Sequence, residues 1–281
     1  MSEKVSTAEL PVPERLSAAW RGVRRLGVAY SGGVDSSVLL AAAVRNLGAD
    51  QVVGILGISP SLAADEHEDA LATARFIGAT VVEIQTLEGA SQAYRSNGPD
   101  RCFHCKDELF TRIDDEILHR HGLDAVAYGE NADDARRPDR PGGQAARNHS
   151  VLRPLADAGL DKQSVRRLAR SWRLPCAEKP AAPCLASRIP HSQEVTPEKL
   201  AQIDRAESSL RRLGLTDFRV RHHGDIARIE LPAADLVRAA ADPLRQQIRN
   251  AVLQAGFQYA VLDLGGLMSG AFTLTVLGSH A

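Results

Sequence analysis

The feature that most constrains this chain is a glycine-rich turn between an apolar segment and a helical one. Leu26–Tyr30 is short and apolar, as in a buried strand. Ser31–Gly33 ends it, and apolar residues then recur at helical spacing over Ser36–Arg45. Glycines let backbone N–H groups approach a ligand closely, and a helix N-terminus attracts negative charge. The segment therefore predicts an anion site, for example for phosphate.

The turn differs from two common phosphate-binding motifs. No lysine follows the glycines, as the Walker loop requires, and Gly-x-Gly-x-x-Gly does not occur there. Ser-Gly-Gly-Val-Asp-Ser at 31–36 instead resembles the PP-loop of ATP pyrophosphatases, which cleave ATP to AMP and pyrophosphate while they adenylate a carboxyl or carbonyl oxygen. The resemblance implies that the loop holds pyrophosphate. The residues it implies at the ATP are Ala29, Ser31, Gly32, Gly33, Val34, Asp35 and Ser36.

Bulk properties narrow the class of protein. The formal net charge of -1 gives no support for nucleic-acid binding. Met1–Arg15 lacks an apolar signal core, and no apolar run approaches transmembrane length, so we expect a cytoplasmic protein without a membrane partner. In such a chain, four cysteines favour metal binding or reactive sulfur over disulfides.

Strands that alternate with helices predict an α/β fold with a doubly wound, mostly parallel sheet. Further strands are predicted at Gln51–Ile58, Thr80–Ile84 and Asp124–Tyr128, a helix after Lys106, and an irregular loop over 135–150. Ligands of such sheets bind at the carboxyl ends of strands. Gly129, which follows the Asp124–Tyr128 strand, is therefore expected at the ATP.

A Pro-rich crossing predicts a domain boundary near Ile189–Glu194. We divide the chain into a leader (1–17), a PP-loop domain (18–190) and a smaller C-terminal α+β domain (191–281). In the last of these, Thr196-Pro197 starts a helix, and Gly224-Asp225 joins two strands of a hairpin. A helix from Asp242-Pro243 and a strand over Phe257–Leu264 complete it.

Cys102 and Cys105 form Cys-x-x-Cys, a spacing that zinc, redox and iron–sulfur sites share. Cys184 is the expected third partner. Cys176 is a possible fourth, although a buried apolar role is favoured for it. His104 could bind metal or cap a helix.

Several charged residues are candidates for binding phosphates or the Mg²⁺ that accompanies them. Asp35 and Asp134 are candidate Mg²⁺ ligands, or else carboxylates that favour a helix N-terminus. Lys106 could contact the leaving pyrophosphate, or be a solvated lysine. Arg219 and Arg221 share a strand face and could clamp an anion, although a solvated face explains the spacing equally well.

Five segments together resemble the LarE family of ATP-dependent sulfur transferases, from about residue 20 to about residue 270. They are Ser-Gly-Gly-Val-Asp-Ser at 31–36, Arg-Cys-Phe-His-Cys-Lys at 101–106, Gly-Glu-Asn-Ala-Asp-Asp at 129–134, Pro-Cys-Leu-Ala-Ser-Arg at 183–188 and Phe-Arg-Val-Arg-His-His-Gly at 218–224. The resemblance implies that ATP and Mg²⁺ adenylate the carboxylates of pyridinium-3,5-biscarboxylic acid mononucleotide. Sulfur then displaces AMP, and the dithio product serves the nickel-pincer nucleotide cofactor of lactate racemase and related enzymes.

The resemblance also implies roles for single residues. Members with three cysteines look able to hold a [4Fe-4S] cluster that carries an extra sulfide, and Cys102, Cys105 and Cys184 match them. In single-cysteine members that residue gives up its own sulfur, which makes Cys184 the alternative donor. Arg219 and Arg221 would hold the substrate's phosphate or carboxylate. Ser187 and Arg188 would lie beside the nucleotide and the sulfur.

The family resemblance further implies partners among the nickel-pincer pathway enzymes and hexamers built from trimers. One departure concerns Gly266–Gly270, which lacks the arginine of the family's Tyr-Arg-Ser-Gly-like element. Three other functions are also compatible with the sequence. A PP-loop tRNA thiolase needs a basic face, an amide-forming PP-loop ligase has no use for three cysteines, and a non-catalytic regulator would bind ATP without cleaving it.

Overall fold

The computed structural model describes residues 10–137 and 141–267, which form two compact units. The first unit comprises the described residues up to Ser59, with Glu66–Glu88 and Cys102–Ala182. The second comprises Pro60–Asp65, Gly89–Arg101 and the described residues from Pro183 onwards. The predicted boundary between residues 190 and 191 stays a prediction. Residues 1–9 of the predicted leader and residues 268–270 of the departing glycine element lie outside the described residues.

The strands and helices are numbered here in chain order. The strands are β1 (Leu26–Ala29), β2 (Val52–Ile58), β3 (Thr80–Gln85), β4 (Ala125–Tyr128), β5 (Arg219–His223), β6 (Ile226–Glu230) and β7 (Tyr259–Leu262). The α-helices are α1 (Glu14–Ser17), α2 (Val34–Leu47), α3 (Ala64–Ile77), α4 (Gln92–Arg95), α5 (Arg101–Arg112), α6 (Ala132–Ala135), α7 (Gly142–Asn148), α8 (Pro154–Asp157), α9 (Lys162–Ser171), α10 (Pro197–Arg212), α11 (Ala233–Ala240) and α12 (Leu244–Gln254). Short 3₁₀ turns occupy Ala18–Trp20, Ala49–Gln51, Glu88–Ala90 and Leu185–Arg188, and Ile113–Leu118 continues α5 as a π-helix.

The first unit contains a parallel sheet with strand order β3-β2-β1-β4. Leu26 of β1 pairs with Val52 of β2 on one side and with Ala125 of β4 on the other. Buried residues of β2 and β4 pack with α5 and α7 into an apolar core. This parallel sheet flanked by helices confirms the predicted α/β class, and β1 and β4 end side by side where the ligand site is expected.

The second unit contains the sheet β5-β6-β7. β5 and β6 form the predicted antiparallel hairpin, with Gly224 at φ +63° in its turn, and β7 adds parallel to β6. Thr196 caps α10 as expected, because its hydroxyl accepts the N–H of Lys199 at 3.4 Å. One sheet face packs on α10 and α12 around Val220 and Phe257.

Two helices depart from the sequence prediction. α5 begins at Arg101 rather than after Lys106, so Cys102 and Cys105 lie in its first turns. The predicted loop over 135–150 is wrong where α7 forms. Its buried face consists of small residues such as Ala145 and Ala146, which give no strong apolar period although they are fully buried.

Candidate functional site

Gly32 gives the loop after β1 a shape that other residues would disfavour. Its φ of +73° lies in the left-handed region, where a side chain is strained. A Cβ on Gly32 would also stand 2.6 Å from the Cβ of Ala70 and 2.8 Å from its Cα. α3 therefore presses directly on the loop backbone. Glycine at this position lets the loop fold back against α3.

Two serines close the loop over the start of α2. The Ser36 hydroxyl accepts the N–H of Ser31 at 3.2 Å and donates to the Gly33 carbonyl at 3.1 Å. Gly33 precedes α2 in an extended conformation and has no side chain to cap it. A Cβ there would meet Ser31 Oγ at 3.5 Å. Val34 and Asp35 therefore open a helix whose first N–H groups suit an anion.

Gly129 brings the end of β4 against this helix start. A Cβ on Gly129 would lie 2.7 Å from the backbone N of Ser36 and 2.9 Å from the carbonyl carbon of Asp35. Only a glycine permits that approach without a shift of backbone. The predicted neighbours of ATP in the first unit, from Ala29 at the end of β1 to Gly129, thus gather at one sheet edge.

Asp35 and Asp134 share one partner. The Asn131 side-chain amide donates to Asp35 Oδ1 at 3.3 Å and to Asp134 Oδ2 at 2.9 Å. Lys162 Nζ lies 2.5 Å from the other oxygen of Asp35. The two predicted Mg²⁺ ligands therefore lie around one amide, and Lys162 neutralises one of them.

Asn131 and Lys162 were missed from the sequence. Asn131 carried a readable signal, because asparagine before a short helix with two aspartates is a typical N-cap, and its Oδ1 accepts the N–H groups of Asp133 and Asp134. Lys162 gave none, because its partner lies 127 positions away.

Lys106 lies over an aromatic ring within the first unit. Its Nζ is 4.5 Å from the centre of the Tyr128 ring, a cation–π arrangement. A Cβ on Gly142 would come within 2.7 Å of Lys106 Cδ, so α7 borders the lysine closely. Burial raises the pKa of Tyr128 and keeps its phenol protonated. Lys106 therefore lies against the first unit's core rather than free in solvent.

Arg188 of the second unit belongs to a buried ion pair. Its Nε and Nη2 donate to the two carboxylate oxygens of Glu207 at 2.9 and 3.0 Å, and Glu207 is fully buried. Nη1 of Arg188 donates to the Pro183 carbonyl and to Ser187 Oγ. The backbone N–H of Val220 also donates to Glu207. Arg188 thereby fixes the Cys184–Arg188 turn on α10.

Arg219 and Arg221 lie on either side of Val220 in β5. Arg221 donates to Glu230 at 2.8 Å and to the Ser187 carbonyl at 2.9 Å. Arg219 donates to the Phe218 carbonyl, and its carboxylate neighbour Asp217 is 3.6 Å away. Burial lowers the pKa of Arg219, and the positive charges of Arg188 and Arg221 lower it further.

The three arginines form a concentration of positive charge, which we call the arginine cluster: Arg188, Arg219 and Arg221, with their buried carboxylates Glu207 and Glu230. Mutual repulsion of guanidiniums favours an anion beside them. The anion clamp predicted for Arg219 and Arg221 stays a prediction, and Arg221 is bound to the buried Glu230. The two glutamates were missed because their partners are 19 and 9 positions away.

None of the four cysteines, all of which lie in the described residues, forms a disulfide. Cys102 and Cys184 are exposed, and Cys105 is half-buried. Burial raises the pKa of Cys176, as the favoured apolar role predicts. Cys102 and Cys105 belong to the first unit and Cys184 to the second. In residues 10–137 and 141–267 no set of three His, Cys, Asp or Glu side chains is grouped as for a metal ion.

Arg101 links the residues next to these cysteines within the second unit. Its Nη1 donates to Asn97 Oδ1 and, at 2.9 Å, to the carbonyl of Ala186. Asn97, fully buried, donates to the carbonyls of Ile189, Pro190 and Gln193. The residue before Cys102 is thus bonded to the segment that follows Cys184. The role of Arg101 is not evident from the sequence, although Arg101 opens the Arg-Cys-Phe-His-Cys-Lys segment.

Comparison with known proteins finds relatives that align over most of the chain. It is 34% identical over 264 residues to pyridinium-3,5-bisthiocarboxylic acid mononucleotide synthase of Lactiplantibacillus plantarum, covering 93% of each chain. It is 40% identical over 257 residues to an uncharacterized protein of Synechocystis sp., covering 92% of this chain and 95% of the relative. An uncharacterized protein of Methanocaldococcus jannaschii is 27% identical over 74% of this chain and 78% of its own. No protein-family model matches the chain.

Within the described ranges, no helix combines the length and apolar character needed to cross a membrane.

Proposed function

The chain belongs to the LarE family, and on that premise we propose that it is an ATP-dependent sulfur transferase. It converts the carboxylates of pyridinium-3,5-biscarboxylic acid mononucleotide to thiocarboxylates for the nickel-pincer nucleotide cofactor. The observation that carries the proposal is the 34% identity, over 93% of both chains, to a synthase named for the bisthiocarboxylic product. The loop geometry of Gly32 and Gly129 supports it independently.

The first step activates a carboxylate. A substrate carboxylate oxygen attacks the α-phosphorus of ATP, the bond to the β-phosphate oxygen breaks, and pyrophosphate leaves with its electron pair. Backbone N–H groups at the start of α2 and the hydroxyls of Ser31 and Ser36 would hold the phosphates. Asp35 and Asp134 would hold Mg²⁺, which would neutralise the charge of the leaving group.

The second step transfers sulfur. A sulfur nucleophile attacks the acyl carbon of the adenylate, and the carbon–oxygen bond to AMP breaks, which leaves a thiocarboxylate. By resemblance to family members with three cysteines, Cys102, Cys105 and Cys184 would hold a [4Fe-4S] cluster through their thiolates. Such a cluster supplies a replaceable sulfide. Without a cluster, Cys184 itself is the sulfur donor.

The arginine cluster would bind the anionic substrate. Arg219 and Arg221 would hold its phosphate or carboxylate, as the family resemblance implies, and Arg188 and Arg221 are themselves held in place by buried glutamates. Arg188 and Ser187 would then hold the Cys184 turn beside the nucleotide. A hexameric assembly, a cytoplasmic location and action beside other nickel-pincer enzymes remain expectations from the family.

The competing functions predict different reactants. A PP-loop tRNA thiolase would bind tRNA, and an amide-forming ligase would keep its activity when Cys184 is replaced. Both share the first step, so cleavage of ATP alone does not separate them from the proposal. The identity of the acceptor and the fate of the sulfur atom separate these functions from the proposal.

The test is a reaction under anaerobic conditions with ATP, Mg²⁺ and the pyridinium mononucleotide. We expect acceptor-dependent release of pyrophosphate and a thiocarboxylate product by mass spectrometry. Iron and acid-labile sulfide near four per chain, lost in Cys102→Ala or Cys105→Ala, would establish the cluster form. No product from reconstituted protein, despite bound ATP, would refute sulfur transfer to this acceptor.

A further inference from the structure

Lys179 lies in the segment that leads to Cys184, and two carboxylates of α3 hold its side chain. Its Nζ is 2.9 Å from Glu66 Oε2 and 2.8 Å from Asp69 Oδ2. Only 17% of the side chain is exposed for Lys179 and for Glu66. Burial would lower the pKa of Lys179, but its hydrogen bonds to the two carboxylates raise it, so the amine stays charged.

A second helix holds the backbone at the same place. Arg166 of α9 donates through Nη1 to the Ala177 carbonyl at 2.7 Å and through Nη2 to the Lys179 carbonyl at 3.0 Å. The side chain and the backbone of Lys179 are thus both tied within the first unit. We call this arrangement the lysine clamp, which consists of Lys179, Glu66, Asp69 and Arg166.

The helix that holds Lys179 also borders the glycine-rich loop. Ala70 follows Asp69 directly, and a Cβ on Gly32 would stand 2.6 Å from the Cβ of Ala70. Adjacent residues of α3 therefore contact the loop that is proposed to hold phosphate and the lysine that precedes Cys184. Because Gly32, α3 and Lys179 all belong to the first unit, the clamp fixes Lys179 relative to the loop.

The chain between the clamp and Cys184 is short. Residues 180–183 separate Lys179 from Cys184, and all four are exposed. Five residues of fully extended chain span at most roughly 18 Å, and the prolines at positions 180 and 183 restrict the backbone further. With Lys179 fixed on α3, the positions open to Cys184 are limited to that reach. A broken clamp would release the start of this stretch.

We propose that Lys179 is a positioning residue for sulfur delivery, which restricts where Cys184 can go by fixing the start of its segment on α3. The inference rests on the proposed function for the reaction that Cys184 serves. Lys179 contacts no reactant in this proposal and acts only through the segment that it holds. Loss of the clamp should therefore impair the transfer of sulfur and spare the release of pyrophosphate.

The test measures two rates in single turnovers of the anaerobically prepared full chain: acceptor-dependent release of pyrophosphate and formation of thiocarboxylate. Lys179→Gln should slow thiocarboxylate formation about tenfold or more, because a small displacement of a reacting group is costly. Pyrophosphate release should keep its wild-type rate. Lys179→Arg should recover part of the loss, since it restores the positive charge. Arg170→Gln, which breaks the exposed Arg170–Glu178 pair beside the clamp, is the matched control and should behave as wild type.

A second measurement needs neither ATP nor acceptor. Pulsed electron spin resonance gives the distance between a spin label on Cys184 and one at Glu68→Cys, an exposed position of α3. The parent chain carries serine at Cys102 and Cys105, and the fourth cysteine is buried and stays unlabelled. We expect Lys179→Gln to broaden the distribution of distances and Lys179→Arg to keep it close to that of the parent chain.

Slower thiocarboxylate formation with unchanged pyrophosphate release, together with a broadened distribution, supports the positioning role. Equal losses in both rates, a distribution as narrow as that of the parent chain, or the same loss in Arg170→Gln would overturn it. If Lys179→Gln does not fold, Asp69→Asn, which removes the more exposed carboxylate of the clamp, is judged by the same outcomes. Absence of thiocarboxylate from wild type would refute the proposed function instead, and the distance measurement alone would then decide whether the clamp positions Cys184.

Discussion

The loop site of the first unit and the arginine cluster of the second, both proposed to bind negative charge, are built by different physical means. At the loop, backbone N–H groups and two serines form the site, and the hydrogen bonds of the Ser36 hydroxyl to Ser31 and Gly33 join residues close in sequence. At the cluster, guanidiniums are held by buried carboxylates such as Glu207 and Glu230. The loop depends on the absence of side chains at Gly32, whereas the cluster depends on charges that are far apart in sequence.

The sharpest test of this difference is removal of one buried charge. Glu207→Gln keeps the shape of the side chain but leaves Arg188 buried without its counter-charge. We expect a loss of about 3–5 kcal/mol in the free energy of unfolding, measured by urea denaturation. Glu198→Gln, the same change at an exposed position of α10, should cost far less. Equal losses of stability in the two variants would mean that burial of the Arg188–Glu207 pair does not determine the size of the loss.

The corresponding test at the loop adds one methyl group. Gly32→Ala combines a disfavoured φ with a clash against Ala70, and we expect a loss of about 2–4 kcal/mol. Gly48→Ala is the matched control, because Gly48 has φ +91° and open space around its missing Cβ. Thermal and urea unfolding of the two variants separate backbone strain from the clash. If both lose the same stability, α3 does not constrain the loop.

A third test asks whether Asp35 serves the metal or only the fold. Asp35→Asn should raise the Mg²⁺ concentration needed for ATP cleavage about tenfold or more, because the amide removes the negative charge that attracts the ion. Asp50→Asn, an exposed aspartate before β2, is the control. An unchanged Mg²⁺ dependence with normal folding would remove Asp35 from the metal site.

The smallest expected effect concerns the pH dependence of stability, through a histidine of the first unit that bonds to two partly exposed aspartates. Burial alone would lower the pKa of His149, but hydrogen bonds to Asp114 at 2.7 Å and Asp107 at 3.2 Å raise it. A raised folded-state pKa contributes stability below the unfolded value of about 6.5. That stability is lost as pH rises through the folded pKa.

We expect this contribution to be at most about 1 kcal/mol, as for other partly solvated pairs. His149→Gln should flatten the stability profile over that pH range, whereas His119→Gln, an exposed histidine, should leave it unchanged. A profile that keeps its slope in His149→Gln would place the titrating group elsewhere.

The contrast between the loop site and the arginine cluster also explains which features could be predicted from the sequence. The PP-loop was predictable because its determinants are consecutive, and the parallel sheet because its strands are apolar and separated by helical segments. Glu207, Glu230 and Lys162 were not predictable, since each is defined by a partner brought near by tertiary packing. α7 escaped prediction because alanine and glycine bury a helix face without an apolar period. The sequence predicts this helix only after Lys106, whereas α5 begins at Arg101 and includes the cysteine motif.

The central claim is that the loop site activates the acceptor, whereas Cys184 serves the delivery of sulfur. The most direct test measures pyrophosphate and thiocarboxylate in a single turnover of Cys184→Ala and wild type. We predict that Cys184→Ala still releases pyrophosphate when acceptor is added but forms no thiocarboxylate. Thiocarboxylate formation at the wild-type rate by Cys184→Ala would contradict the account.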